Sequence, residues 1–260
     1  MSAADDKITS LTMYDPLANL YECQYAHYRD DIAFYRNLAD DYGSPILELG
    51  AGTARVTRAL AAAGHHITAV EPSANMIALG MVKLEADNLT QNVTYLQADA
   101  RTLQLEQRFP LIIAPFNMLM HLYTLDDQDT ALKVIHDHLE PGGRFACDLY
   151  MPNFAALDVL RREPYWGDVG LSEDGLSSEL FVLQHHNPDA QLIESRYYLD
   201  TTQPDGNLSR QVYSLSQRYY HHFELVRALR TAGFTSMSFY GDFDKSRFSS
   251  TSPYMIAVAN

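Results

Sequence analysis

Cysteine is scarce in this chain, with Cys23 and Cys147 the only two among 260 residues. Two thiols allow at most one disulfide and rule out a zinc-ligating framework, so they read as reduced core residues on which neither stability nor catalysis rests. Long apolar runs are missing too. Nothing approaches the roughly 18 residues that a membrane-crossing helix needs, and the opening MSAADDKITS has neither the basic nor the apolar stretch of a secretion signal. The expectation is a cytoplasmic protein with no membrane partner. Basic residues are also few: 19 Lys and Arg stand against 33 Asp and Glu, for a net charge of −14 at pH 7 and a pI near 5.0. Nucleic-acid binding depends on neutralising phosphates, and a chain without a dense basic run is poorly suited to it. A small molecule is the favoured partner.

What is present is an ordered alternation. Strand-like apolar runs at Ile46–Leu49, Ile67–Val70, Val93–Gln97, Leu111–Pro115 and Phe145–Tyr150 alternate with helical patterns near 53–63, 73–85, 126–139 and 152–162. This βαβ series predicts an α/β fold, with a parallel sheet, helices on both faces and right-handed crossovers. Ligands of such sheets bind at the carboxyl ends of the strands, where Gly50, Glu71, Asp99 and Phe116 fall. Past about residue 165 the pattern changes. SSELFVLQHH, QLIESRYYLD and LSRQVYSLSQRYY alternate partially and are separated by the turn signals Asn187-Pro188-Asp189 and Pro204-Asp205-Gly206-Asn207, which predicts antiparallel strands. A helix from about Phe223 to Thr231, stopped by Gly233, leads to two last strands at Ser236–Tyr240 and Tyr254–Val258.

The stretch ILELGAGTAR, Ile46 to Arg55, runs from a strand into a glycine turn that opens a helix. In a dinucleotide fingerprint a third glycine lets the helix pack under a pyrophosphate, but Arg55 holds that place here. What remains is two glycines, an acidic residue at the end of the second strand (Glu71 in AVEPS) and another after the third (Asp99 in YLQADA). Glycines at 50 and 52 let a ligand approach the backbone, a carboxylate at 71 accepts from both ribose hydroxyls, and Asp99 accepts from an exocyclic amine. Together these describe an adenosine site.

At this point the chain resembles the class I S-adenosylmethionine (SAM) dependent methyltransferases. ILELGAGTARVT is similar to the first motif of that family, AVEPSANM to the second, YLQADARTL to the third, FPLIIAPFNMLMHL to the fourth and LEPGGRFACDLY to the strand after it. The likeness covers roughly residues 14–150 and resumes in the helix-strand-strand ending. It implies a Rossmann-like, seven-stranded, mostly parallel sheet with a reversed last strand, and an inserted antiparallel β cover. The opening MYDPLANLYECQY and the insertion are similar to bacterial small-molecule N-methyltransferases of the glycine and amino-sugar type. The organisation implied is a helical cap over 1–42, a SAM-binding core over 43–165 and 221–260, and an acceptor-site cover over 166–220.

Residue roles follow from the motif match. Gly50, Ala51 and Gly52 approach the methionine and ribose parts, Glu71 the ribose diol, Met76 and Ala100 the adenine faces, and Asp99 the adenine amine. Pro72, Arg101, Phe116 and Asn117 complete the expected cofactor set, with Glu48 serving either the ligand or nearby backbone N–H groups. The helical stretch YAHYRDDIAFYRNLADDY supplies Arg29 for the cofactor carboxylate, and Tyr14 and Tyr21 are placed to close over the sulfonium. Methyl transfer needs alignment and a neutral lone pair, so an amine acceptor must lose its proton. His121, in FNMLMHL, is the candidate to take it, and Tyr14 is the second catalytic candidate. Tyr213, Arg218 and Tyr220 are candidates for acceptor binding. His65-His66, His185-His186 and His221-His222 are sequence neighbours that point apart on a strand, so no metal is expected. The expected partner is a small methyl acceptor, for a monomer or homodimer. A nicotinamide dehydrogenase, a non-catalytic SAM-binding regulator and an RNA methyltransferase are the competing readings.

Overall fold

A computed structural model of the protein describes residues 14–25, 27–154, 156–157, 165–171 and 176–260. The described elements run α1 (Ala18–Tyr25), α2 (Ile32–Tyr42), β1 (Ile46–Leu49), α3 (Arg55–Ala62), β2 (Ile67–Glu71), α4 (Ala74–Ala86), β3 (Val93–Gln97), β4 (Phe109–Ala114), α5 (Leu125–Asp137) and β5 (Leu139–Tyr150). Then come β6 (Tyr165–Leu171), β7 (Ser177–Asn187), β8 (Leu192–Thr202), β9 (Leu208–Arg218), α6 (His222–Ala232), β10 (Met237–Tyr240) and β11 (Tyr254–Ala259). Contacts divide the chain into two compact units. One holds residues 28–151 and 220–260 together with the segment before Asn19; the other holds Asn19–His27 and Pro152–Tyr219. The stretch expected to be one cap, 1–42, is thus shared between the two.

The first unit is built on a seven-stranded sheet in the order β10-β11-β5-β4-β1-β2-β3. Strands β1 to β5 pair in parallel, and β11 runs antiparallel to both β5 and β10, which gives the reversed last strand. Alternation along the strands supplies a core on each face. Ile46, Ile67, Ala69, Leu111, Ile113, Ala146 and Ile256 pack against Phe34, Tyr35 and Leu38 of α2 and Val56 and Leu60 of α3. Phe145, which points the other way from Ala146, meets Phe234 after α6 at 5.8 Å between ring centroids.

Element boundaries differ from the sequence reading for local reasons. β5 begins at Leu139 and not at Phe145, because Leu139 pairs with Phe109 before a register irregularity at Pro110. The helical run read as continuous over 25–42 is broken between Tyr25 and Ile32. Asp31 precedes α2 without capping it, since both of its carboxylate oxygens are taken by Arg55. The helix expected near 152–162 lies largely outside the described residues.

The second unit carries a separate four-stranded antiparallel meander, β6-β7-β8-β9. Both turn signals are used: the Asn187 side chain accepts from the N–H of Ala190, and Gln203 closes on Asn207 around Gly206 at φ +85°. Strand β6 lies at the edge where the sequence offered no separate signal.

Candidate active site

The loops at the carboxyl ends of β1 to β4 line a cavity that is partly open to solvent. Eight residues singled out from sequence line it: Tyr14, Gly50, Glu71, Pro72, Asp99, Ala100, Arg101 and His121. Val70, Ala98, Met118 and Leu122 also line it.

The glycine loop answers the question it raised. Gly50 N–H and Ala51 N–H both donate to Val70 O, at 2.9 and 3.1 Å, and Gly52 N–H donates to Glu71 Oε2 at 2.9 Å. Ala54 N–H closes on Ala51 O at 3.0 Å. An anion cradle needs such donors turned outward, and here four of them are spent inside the protein. The loop therefore does not present a pyrophosphate site. Gly50 is required twice over: its φ is +69°, and a Cβ there would stand 2.7 Å from Met118 Cγ. Ala54 is also left-handed, at φ +66°, and fully buried, which explains why glycine suits that place and why a small side chain is tolerated.

Glu71 sits at the end of β2 with Oε1 accepting from Ser73 N–H at 3.0 Å and Oε2 from Gly52 N–H. It thus ties the strand end to the glycine loop and to the first turn of α4, which Ser73 caps. Burial pushes its carboxyl up to about 7 against the pull of those two N–H groups. Asp15 adds a second tie, accepting from Ser73 Oγ and from Asn75 N–H. Next to Asp15, Tyr14 Oη lies 3.0 Å from His121 Nε2, with the rings edge-on at 5.2 Å. His121 ends a 3-10 turn, Met118–His121, that follows two left-handed residues, Phe116 and Asn117.

Asp99 and Arg101 form the far wall. Arg101 donates to Asp99 Oδ2 from Nε at 2.8 Å and to Asp127 Oδ1 from a terminal nitrogen at 3.0 Å, and the hydrogen bond it gives to Asp99 raises the basicity of the guanidinium.

Other expected site residues serve the framework. Glu48 is buried and accepts from Thr57 Oγ1 at 2.7 Å; burial pushes it up to about 8. Met76 is buried in α4 and Ala51 beneath the loop. The N–H of Phe116 donates to Asp148 Oδ1, and Asn117 accepts from Tyr150 N–H through its side chain. Arg29 is exposed and donates to the carbonyl of its neighbour Tyr28. Tyr220 donates to Leu119 O from a buried position. Tyr21, Tyr213 and Arg218 belong to the second unit, where Tyr213 donates to Gln211 and Arg218 to Gln191.

Sequence reasoning missed a buried polar network behind the loop. Arg55, counted only as a missing glycine, pairs with Asp31 at 2.5 and 2.6 Å and stands over the rings of Tyr28 and Phe116, at 5.0 and 4.9 Å. Asp148, at the end of β5, accepts from Tyr35 Oη at 2.5 Å, and burial pushes its carboxyl up to about 6. A charged residue directly after a glycine turn was the one available signal. Among the described residues no group of three His, Cys, Asp or Glu side chains could hold a metal, and no helix is long and apolar enough to cross a membrane.

The seven-stranded sheet with a reversed last strand, and the glycine turn followed by acidic strand ends, make up a fold shared with solved methyltransferases. Residues 46–143 match the family of methyltransferase domains. The chain is similar to a ubiquinone/menaquinone biosynthesis C-methyltransferase of Rubrivivax gelatinosus, at 34% identity over 117 residues, 44% of this chain and 42% of that protein. The chain thus spans less than half the length of that curated relative. Among solved structures it is similar to the CcbJ methyltransferase of Streptomyces caelestis, with a TM-score of 0.78 and 24% identity over 96% of this chain and 98% of that one. SAM-bound CalS10, an amino pentose methyltransferase from Micromonospora echinaspora, aligns with a TM-score of 0.70 and 16% identity, covering 92% and 94% of the two chains.

The residues present fit an adenosyl-sulfur cofactor. Two carboxylates and apolar backbone-proximal walls line the cavity, the one cation in it is already held by two carboxylates, and the loop donors are consumed. This suits a neutral nucleoside carrying a sulfonium and disfavours a polyphosphate.

Proposed function

We propose that this protein is a SAM-dependent methyltransferase acting on a small-molecule acceptor, with an amine nitrogen preferred over a hydroxyl oxygen. The observation that carries the reading is the Tyr14–His121 pair on the wall of the cavity that Glu71 and Asp99 also line. When bound, SAM supplies an electrophilic methyl group for in-line displacement. Glu71 receives the ribose hydroxyls, Asp99 the adenine amine, and Gly50 leaves room against Met118. Arg29 is assigned to the cofactor carboxylate and Tyr21 to the sulfonium. The acceptor's proton reaches His121 by way of Tyr14 Oη, which takes it while giving its own proton to His121 Nε2, 3.0 Å away. Tyr213 and Arg218 are assigned to acceptor recognition. Neighbours of the same fold named as a sugar N-methyltransferase and a glycopeptide N-methyltransferase support a nitrogen acceptor, whereas the curated relative is named a C-methyltransferase, so a carbon acid is the competing acceptor class.

The test is incubation of the protein with SAM and matched panels of primary amines, hydroxyl compounds and activated carbon acids, reading S-adenosylhomocysteine release. Release with amines supports the proposal. Release only with carbon acids moves the chemistry to carbon, and binding without release from any panel identifies a SAM-binding protein instead.

A further inference from the structure

Asp127 lies outside the residues that line the cavity, yet it is joined to them through one guanidinium. It stands in the first turn of α5, where its N–H donates to Thr124 Oγ1 at 3.1 Å and its Oδ2 accepts from the same hydroxyl at 2.8 Å. Thr124 is the cap of that helix, so backbone and side chain of Asp127 are both fixed, and a carboxylate there is favoured by the helix N-terminus. Its free oxygen, Oδ1, receives Arg101 at 3.0 Å.

Arg101 is thereby held from both sides. Nε and a terminal nitrogen meet Asp99 Oδ2 at 2.8 and 2.6 Å, the other terminal nitrogen meets Asp127, and the side chain is only 10% exposed. A planar fork gripped along two edges cannot swing its donors into the cavity. Asp99 Oδ1 also accepts from the N–H of Arg101, at 2.9 Å. An ionised carboxylate has about four acceptor sites. Three are used here, one on Oδ1 is left, and the Asp99 side chain retains 16% exposure at the cavity wall. One cation between two carboxylates leaves this wall with net negative charge and a single outward acceptor.

We propose that Asp127 is a positioning residue that sets base selectivity: by holding Arg101 away from the cavity it leaves Asp99 as a pure acceptor, which takes a purine bearing a 6-amino group and rejects a 6-oxo purine. A 6-oxo group would place an acceptor against this acceptor. With Asp127 removed, one edge of the guanidinium is released, Arg101 can turn a donor toward the ligand, and the distinction weakens. The proposal rests on the adenosyl reading of the cavity.

The experiment titrates S-adenosylhomocysteine and its 6-oxo counterpart, S-inosylhomocysteine, into the wild type, Asp127→Ala and Asp127→Asn by calorimetry. The wild type is expected to favour the adenosyl ligand by at least about a hundredfold, and Asp127→Ala to reduce that ratio by about tenfold or more. Asp127→Asn keeps one acceptor oxygen, which can still receive Arg101 while the amide nitrogen donates to Thr124 Oγ1, and should lie between the two. It also serves as the folded alternative if the alanine variant does not fold. A role confined to capping α5 would lower stability and weaken both ligands equally, so a ratio unchanged in both variants overturns the proposal. Failure of the wild type to bind either ligand overturns the adenosyl reading, and this proposal with it.

Discussion

The two compact units of this chain use the same residue types in different ways. In the parallel-sheet unit, polar side chains at strand ends are each fixed by several partners: Glu71 holds two backbone N–H groups, Asp148 a tyrosine and a backbone N–H, and Asp31 both arms of Arg55. In the antiparallel unit the comparable side chains pair locally along the meander, as Tyr213 does with Gln211 and Arg210 with Asp200. The difference follows from topology. Parallel strands bring every carboxyl end and its following loop to one edge, so distant segments must share their hydrogen bonds there. An antiparallel meander spreads its side chains along two faces, where Tyr213 and Arg210 meet partners on the same or the adjacent strand.

The contrast is sharpest at Glu71. Replacing it with alanine removes both loop ties and the expected ribose acceptor, and should weaken S-adenosylhomocysteine binding by roughly 1–3 kcal/mol. Calorimetry reads this directly, and unchanged affinity would remove Glu71 from the site.

A pH effect of comparable size belongs to the same unit. Burial raises Glu48 from 4.5 to about 8, so the folded protein keeps a proton there that the unfolded chain releases. The stability associated with the neutral carboxyl is complete below about pH 4.5 and is lost as pH climbs toward 8. Glu48→Gln, which mimics the neutral form, should flatten the decline in urea-unfolding stability between pH 5 and pH 8 by on the order of 3 kcal/mol. An identical decline in both proteins would mean that Glu48 is ionised in the fold.

The smallest effect belongs to the other unit. Tyr213→Phe removes a bond to Gln211 at a partly exposed position and should change stability by less than about 0.5 kcal/mol, with no change in S-adenosylhomocysteine affinity. A cofactor-affinity loss comparable to that of Glu71→Ala would erase the distinction between the units.

The parallel half was legible because its chemistry lies at fixed places in a repeating pattern. The ends of β1, β2 and β3 were read from alternation alone, and Gly50, Glu71 and Asp99 meet at one cavity as that pattern requires. Direction along a strand does not reveal what lies behind it. Glu48 alternates onto the face covered by α3 and is taken by Thr57, and Arg55, read only as a replaced glycine, found its role only where the helical run breaks before α2 and Asp31 faces it. Met118 escaped notice because its approach to Gly50 depends on two successive left-handed residues, Phe116 and Asn117, neither of which is glycine. In the antiparallel half the turns and three strands were legible, but no spacing there marks one tyrosine for function over another.

The central claim is that the glycine-loop cavity receives an adenosyl-sulfur ligand and not a dinucleotide. It is tested most directly by thermal unfolding of the protein alone and with S-adenosylhomocysteine, SAM or NAD, each in large excess. A ligand at 100 times its dissociation constant adds about 2.7 kcal/mol to native stability. Stabilisation by the two adenosyl-sulfur compounds alone is the result expected from a loop whose N–H groups are already spent. Stabilisation by NAD alone would mean that the loop opens to hold phosphate, and would contradict the account.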